Sequence, residues 1–97
     1  MTPKFDSYLG FARKAGRMVL GQDRLEKYRG KIFLLIFAKD CSPRTRKNAV
    51  YLFPDADIVD TDLDKTELGR KMGISTLSVC GITDNDFSIL IKENTGR

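Results

Sequence analysis

The sequence predicts an α/β protein, a single-domain three-layer α/β/α sandwich with about four strands and five helices. Its 97 residues suit one domain with a modest core, so residues 1–97 are treated as one domain. The longest apolar run, KIFLLIFA at residues 31–38, is typical of a central strand that is buried on both faces. Segments with helical spacing alternate with short strand-like segments, and this alternation places one sheet between two layers of helices.

Four elements are predicted in the first half of the chain. Apolar residues recur at i, i+3, i+4 and i+7 from Phe5, which defines one face of a helix, and Gly16 supplies its stop signal. Gly21 ends a short strand, and Asp23 then places a carboxylate in the first turn of a brief helix. In chain order, the predicted elements are a helix over about 4–15, a strand over 18–20, a helix over 22–29 and a strand over 31–38.

Five elements are predicted in the second half. Ser42 and Pro43 form a helix-start signature, with serine as the N-cap and proline at the first helical position. Asp64 can cap a later helix, for which Gly73 is the stop signal. In chain order, the predicted elements are a helix over about 43–53, a strand over 56–59, a helix over 64–72, a strand over 76–82 and a last helix opened by residues 83–86. The tail from Asn94 is expected to fray.

The composition argues against an enzyme. The chain contains no histidine, which removes Ser-His-Asp and Cys-His catalysis together with the commonest metal ligand. Two cysteines without histidine cannot supply a usual structural zinc site. No glycine-rich loop of a known nucleotide-binding type occurs. We therefore expect no catalytic activity, no cofactor, no metal and no small-molecule substrate.

Two other groups of residues have both a structural and a functional interpretation. Cys41 and Cys80 are expected to be small buried or half-buried thiols, and a disulfide is the alternative. Cys41 lies between a strand end and a helix start, where a thiolate is favoured, but no base accompanies it. An acidic segment lacks the spacing of a calcium-binding loop, so a solvated loop with capping aspartates is preferred over a metal site. Its members are Asp55, Asp57, Asp60, Asp62 and Asp64.

The ends of the chain and its hydropathy predict a location. The first residues, MTPKFDSYLG, contain no apolar core of a signal peptide. The apolar run at residues 31–38 is far too short to span a bilayer. We expect a cytoplasmic protein that has no membrane association, and the small fold favours a monomer.

The charge is unevenly distributed along the chain. Residues 1–50 contain twelve Lys and Arg against four Asp and Glu, a net charge of +8. Residues 51–97 contain five against nine, a net charge of −4, so the overall charge of +4 conceals a strongly basic half. A basic surface attracts phosphates and favours nucleic acid as a partner. The alternative is that these cations only keep the surface soluble.

Two turns that carry polar and basic groups are the candidate site. The first turn comprises residues 21–27, and the second turn comprises residues 73–77. If the first strand lies beside the last, both turns meet at one end of the sheet. The helix start in the first turn offers free N–H groups to phosphates, and Lys27 follows within reach. The alternative is two ordinary surface loops.

Four fragments in order carry a resemblance that covers nearly the whole chain: YLGFARKAGRMVLG, FAKDCSPRT, TELGRKMG and VCGITDNDF. They resemble the ribosomal-protein superfamily of kink-turn RNA binders, which includes the archaeal large-subunit protein of the seven-Ae type and the eukaryotic thirty-e type. The small bacterial members called YlxQ-like are the most similar. The resemblance implies an RNA-binding protein whose partner is structured RNA, with ribosomal RNA as one candidate.

The resemblance also implies which residues contact the RNA. In the family, a Gly-x-Asn-Glu-x-x-Lys segment enters the widened groove of a kink-turn and meets tandem sheared G·A pairs. A second loop packs against a flipped-out base. Transferred to this chain, the first strip is Gly21, Gln22, Asp23, Arg24, Lys27 and Arg29. The second loop is Ile74, Ser75 and Thr76, and Arg46 is a more distant candidate.

Two departures from the family motif change the expected recognition. Asp23 stands where the family has asparagine, and an ionised aspartate can only accept hydrogen bonds. Arg24 stands where the family has glutamate, so it donates to guanine acceptors or phosphates instead of accepting from guanine. Arg24 with Lys27 predicts stronger backbone contact and weaker base selection. The rival hypothesis, which this altered pair favours, is a protein-interaction module whose basic face meets an acidic partner protein.

Overall fold

Helices and strands alternate along the chain in the computed structural model, which describes residues 2–95. All nine predicted elements are present within these residues. In chain order they are α1 (Pro3–Lys14), β1 (Met18–Leu20), α2 (Gln22–Lys27), β2 (Leu34–Phe37), α3 (Pro43–Leu52), β3 (Asp57–Asp60), α4 (Lys65–Lys71), β4 (Val79–Ile82) and α5 (Asn85–Glu93).

Three predicted boundaries were wrong by more than the usual fraying of helix and strand ends. α2 ends two residues before Arg29, because Tyr28 adopts an extended backbone with ψ of 129°. β2 is shorter than the apolar run, because its partner strands β3 and β4 are themselves only four residues long. β4 begins at Val79 and not at Thr76, because the preceding residues fold back onto α4. The backbone N–H of Leu77 donates to the carbonyl of Lys65 at 3.0 Å, outside the sheet.

The helix-start predictions for α3 and α4 are confirmed. The hydroxyl oxygen of Ser42 accepts a hydrogen bond from the backbone N–H of Thr45 at 3.1 Å. Asp64 and Glu67 form a reciprocal capping box at the start of α4, each carboxylate accepting from the other residue's N–H. The bond from the Glu67 N–H is the main reason that the pKa of Asp64 lies below its ordinary value. Gly73 follows α4 with φ of 75°, a region that favours glycine.

The three-layer sandwich is confirmed by the alternation of side chains along β2. Leu34 and Ile36 belong to one core, into which α1, α4 and α5 pack. Leu35 and Phe37 belong to the other core, which α2 and α3 cover. Because successive side chains of a strand point to opposite faces, full burial of the strand requires helices on both sides.

The sheet topology brings the candidate turns together. The strand order is β1-β4-β2-β3, in which β4 is antiparallel to both neighbours and β2 is parallel to β3. The last residues of β1, β2 and β3 therefore lie at the same end as the first residue of β4. We call this the loop end of the sheet, marked by residues 21, 38, 61 and 78. The predicted condition, that the first strand lies beside the last, is met.

The cysteine prediction is confirmed, and the acidic segment is only partly a loop. Cys80 is buried and Cys41 is partly buried, and both are free. Asp64 caps a helix as predicted, but Asp57 and Asp60 lie in β3, where each forms an ion pair with a basic side chain. Among residues 2–95, no cluster of three or more metal-ligating side chains occurs.

Burial of Cys80 predicts a loss of stability at alkaline pH. Desolvation raises the pKa of its thiol to about 12, whereas an unfolded cysteine titrates near pH 8.5. The full free energy of unfolding is therefore retained below about pH 8.5. As the pH rises toward 12, ionisation of Cys80 in the unfolded state lowers this free energy by at most about 1.4 kcal/mol per pH unit. Urea unfolding under reducing conditions, from pH 7.5 to 10.5, should show a weaker pH dependence for Cys80→Ala than for wild type. If the free energy of unfolding fell equally with pH in both proteins, the raised pKa of Cys80 would be contradicted.

The predicted fraying of the tail falls partly on residues 96 and 97, which lie outside the described residues. Asn94 itself is held in place: its carbonyl accepts from the hydroxyl of Thr2 at 2.9 Å, and its side-chain amide donates to the carbonyl of Leu90 at 2.8 Å. These bonds connect Asn94 to Thr2 and to α5, and fraying of the tail stays a prediction. Within residues 2–95, no helix is both long and apolar enough to cross a membrane.

Candidate nucleic-acid interface

The first turn begins at the loop end and is fixed to the neighbouring strand. Gly21 has φ of 88°, and its backbone N–H donates to the carbonyl of Val79 at 2.9 Å. The second turn leads directly into β4, which starts at that same Val79. The two turns are thus joined through one strand end, as the sequence predicted.

α2 presents charged side chains to solvent, and Leu25 is its one buried residue. Leu25 is fully buried and packs onto β4 at Gly81, where an added Cβ would lie 3.0 Å from the Leu25 Cδ2 atom. Asp23, Arg24 and Lys27 are exposed, and their side chains form no hydrogen bond or ion pair with any residue between 2 and 95. α2 has only six residues, so the exposed cations, and not a helix dipole, must supply the attraction for an anion.

Gln22 has a structural task that the sequence did not reveal. Its side-chain carbonyl accepts from the hydroxyl of Thr45 at 3.0 Å, and its amide nitrogen donates to Glu26 at 3.2 Å. Asn48 donates to the same Glu26 oxygen at 2.9 Å. The bonds from Thr45 and Asn48 tie α2 to α3, so Gln22 helps to orient the first turn.

The second turn is shaped by a close backbone contact with α4. Gly69 is buried, and a Cβ at this position would lie 2.7 Å from the Thr76 Cα atom. The N–H of Ile74 donates to the Gly69 carbonyl at 2.9 Å, which closes the turn. Gly69 is thus required by the packing of this turn, whereas Gly73 is favoured by its positive φ of 75°. The fold leaves Ile74, Ser75 and Thr76 exposed, and the apolar side chain of Ile74 is 37% accessible.

Arg46 does not belong with the other predicted contact residues. Its guanidinium forms a bidentate ion pair with Asp60, in which Nη2 lies 3.1 Å from Oδ2. The same guanidinium lies 4.7 Å from the centre of the Phe37 ring. Arg46 was predicted as a more distant RNA contact, but it instead joins α3 to the edge strand β3. Arg29, the last residue of the predicted strip, is exposed and lies beyond the end of α2.

The electrostatics of the α2–α3 surface are dominated by cations. α3 contains no acidic residue, and its exposed Arg44 and Lys47 form no ion pair within the described part of the chain. On the α4 side of the loop end, two carboxylates accept backbone hydrogen bonds. Asp40 accepts from the Lys65 N–H at 2.9 Å, and Asp64 is in the capping box. The excess of cations on the α2–α3 surface comes from α3, because the charges of α2 balance.

Arg44 and Lys47 were not among the predicted site residues. The signal that could have found them is the run RTRK at residues 44–47, three cations without an acid in the opening turns of a helix. Only the pairing of α2 with α3 shows that Arg44 and Lys47 lie beside the first turn.

Comparison with known proteins supports the fold and leaves the activity open. No protein-family model matches the chain, and no curated protein does. A total of 63 chains from solved structures match, which shows that the architecture recurs and cannot by itself select a function. One of them, a protein of unknown function from Bacillus halodurans, is 22% identical. It covers 95% of this chain and 96% of its own length, with a TM-score of 0.79.

Proposed function

We propose that this chain is a non-catalytic RNA-binding protein that recognises a bent or kink-turn-like RNA at the loop end of its sheet. The observation that carries the proposal is the exposure of Arg24 and Lys27, without ion-pair partners among the described residues, on the helix that follows Gly21 at the start of β4. The second turn leads into that strand and supplies an exposed apolar side chain, Ile74. The proposal places the chain in the cytoplasm, with the kink-turn RNA binders it resembles in sequence.

The arrangement suits RNA because RNA is recognised by shape, unpaired bases and backbone. Cations on α2 reach phosphates of a bent strand, while Ile74 offers an apolar surface to a base that has left its stack. Ser75 and Thr76 add hydroxyl groups that can donate to or accept from the backbone and base edges. Asp23 accepts only, so it would accept a hydrogen bond from an amino or imino group of a base.

The chemistry of Arg24 sets the expected selectivity. Its guanidinium has five N–H donors and no acceptor, so it fits phosphate or the acceptor edge of guanine. We therefore expect binding that depends strongly on salt and on RNA shape, with weaker selection of base identity than a glutamate at this position would give.

A fluorescence-anisotropy titration tests the proposal. A kink-turn RNA is compared with an unbent duplex of equal length, each at low and at physiological salt. The proposal predicts tighter binding to the bent RNA at both salt concentrations. Equal and steeply salt-dependent binding to both RNAs would mean that the protein contacts only the phosphate backbone and does not recognise the bend.

Absence of binding to either RNA would refute RNA recognition. In that case the exposed cations of α2 and α3 would favour the rival function, a module that binds an acidic protein surface. If structured RNA displaces such an acidic partner, the two share one basic surface. If it does not, they bind at independent surfaces.

A further inference from the structure

An open groove of about 440 Å³ lies between α2 and α3 on the outer surface of the sandwich. Gln22, at the start of α2, belongs both to this groove and to the predicted RNA strip, so the groove continues the loop-end surface. The lining residues are Gln22, Glu26, Arg44, Lys47, Asn48 and Tyr51.

Tyr51 is the feature of this groove that packing does not explain. It lies in the last turn of α3 and is 82% exposed, more than any other large apolar or aromatic side chain described as exposed. Its ring stacks on no other aromatic ring among residues 2–95, where the one ring pair joins Tyr8 and Phe11. An exposed aromatic face next to Arg44 and Lys47 is the combination that single-stranded nucleic acid uses for stacking and backbone contact.

The floor of the groove is already ordered. Glu26 accepts from Gln22 and Asn48 through the same oxygen, Oε1, at 3.2 Å and 2.9 Å. The other oxygen of Glu26 has no hydrogen-bond donor within the described residues and can accept from the amino or imino group of a base. The Glu26 carboxylate repels phosphate, so the RNA backbone is expected at the rim of the groove, beside Arg44 and Lys47.

We propose that this groove binds one unpaired nucleotide of the RNA, with its base stacked on the Tyr51 ring and its phosphate between Arg44 and Lys47. The inference rests on the proposed function and extends it, because it adds a second contact that selects RNAs with an unpaired residue beside the bend. The groove volume falls within the range of small-ligand sites, about 300–1,000 Å³.

The test uses a bent RNA that carries 2-aminopurine at each unpaired position in turn. Tyr51→Ala should weaken binding roughly 5- to 100-fold, the effect of losing one base–aromatic stack. Tyr51→Phe should bind within about twofold of wild type, because the ring that stacks is kept. At one position, the probe fluorescence should be quenched by wild type and by Tyr51→Phe, but not by Tyr51→Ala.

The outcomes separate this inference from the proposed function. If Tyr51→Ala binds and quenches as wild type does, while reversal of Arg24 and Lys27 abolishes binding, the groove proposal is overturned and RNA recognition at the loop end stands. If wild-type protein binds no RNA, the groove proposal and the proposed RNA-binding function are both overturned. Phe11→Ala, at an exposed ring on α1 in the opposite helical layer, is the matched control and should leave affinity unchanged.

Discussion

Reversing the charges of Arg24 and Lys27 should abolish RNA binding without unfolding the protein. Both side chains are exposed and form no ion pair with residues 2–95, so Arg24→Glu with Lys27→Glu removes two cations and introduces two anions. We expect a loss of affinity of roughly 100-fold or more, and a salt dependence reduced by about two phosphate contacts. The unfolding midpoint should change little, because neither side chain is packed.

The matched control reverses two exposed cations at the opposite end of the sheet. Lys14 and Arg17 flank the start of β1, which pairs with the end of β4. Lys14→Glu with Arg17→Glu changes the net charge by the same amount. If binding depends on the loop end, this variant should keep most of the affinity. Equal loss in both variants would show that only the overall charge matters.

Substituting Gly69 should damage the second turn. In Gly69→Ala, the new Cβ would lie within 3 Å of the Thr76 Cα, C and N atoms, and backbone cannot rotate away as a side chain can. Overpacking of this kind costs about 1–3 kcal/mol. We expect a lower free energy of unfolding in urea and weaker RNA binding, since a displaced turn moves Ile74, Ser75 and Thr76.

Gly10 supplies the control for this experiment. It lies inside α1, and an added Cβ there meets nothing within 4 Å. Gly10→Ala should therefore stabilise the protein by about 0.5–1 kcal/mol, the usual gain for alanine over glycine in a helix. A Gly69→Ala variant as stable as Gly10→Ala would contradict the contact between α4 and the second turn.

The fold was predictable because its strongest signals are local. The burial of β2 on both faces follows from an uninterrupted apolar run, and Ser42 with Pro43 marks the start of α3 by simple capping chemistry. The errors arose where tertiary contacts decide. The return of residues 74–77 along α4, and the loss of the last two predicted residues of α2, depend on packing that no local pattern encodes.

The candidate site was predictable only in part. The location of the two turns followed from strand adjacency, and Arg24 and Lys27 followed from the resemblance to the family's motif. The engagement of Arg46 by Asp60 could not be predicted, because it joins α3 to a strand fourteen residues later in sequence. The groove around Tyr51 was also not predicted, because it exists only when α2 and α3 lie side by side.

The central claim is that the loop end of the sheet is the RNA-binding surface. The most direct measurement is a titration of ¹⁵N-labelled protein with a kink-turn RNA, followed by the chemical shifts of backbone amides. The account predicts that the largest changes cluster in residues 21–29 and 73–78, with a further set at residues 44–51 along the α2–α3 groove. Changes confined to the opposite end, around Arg17 and Thr83, or spread evenly over the surface, would contradict it.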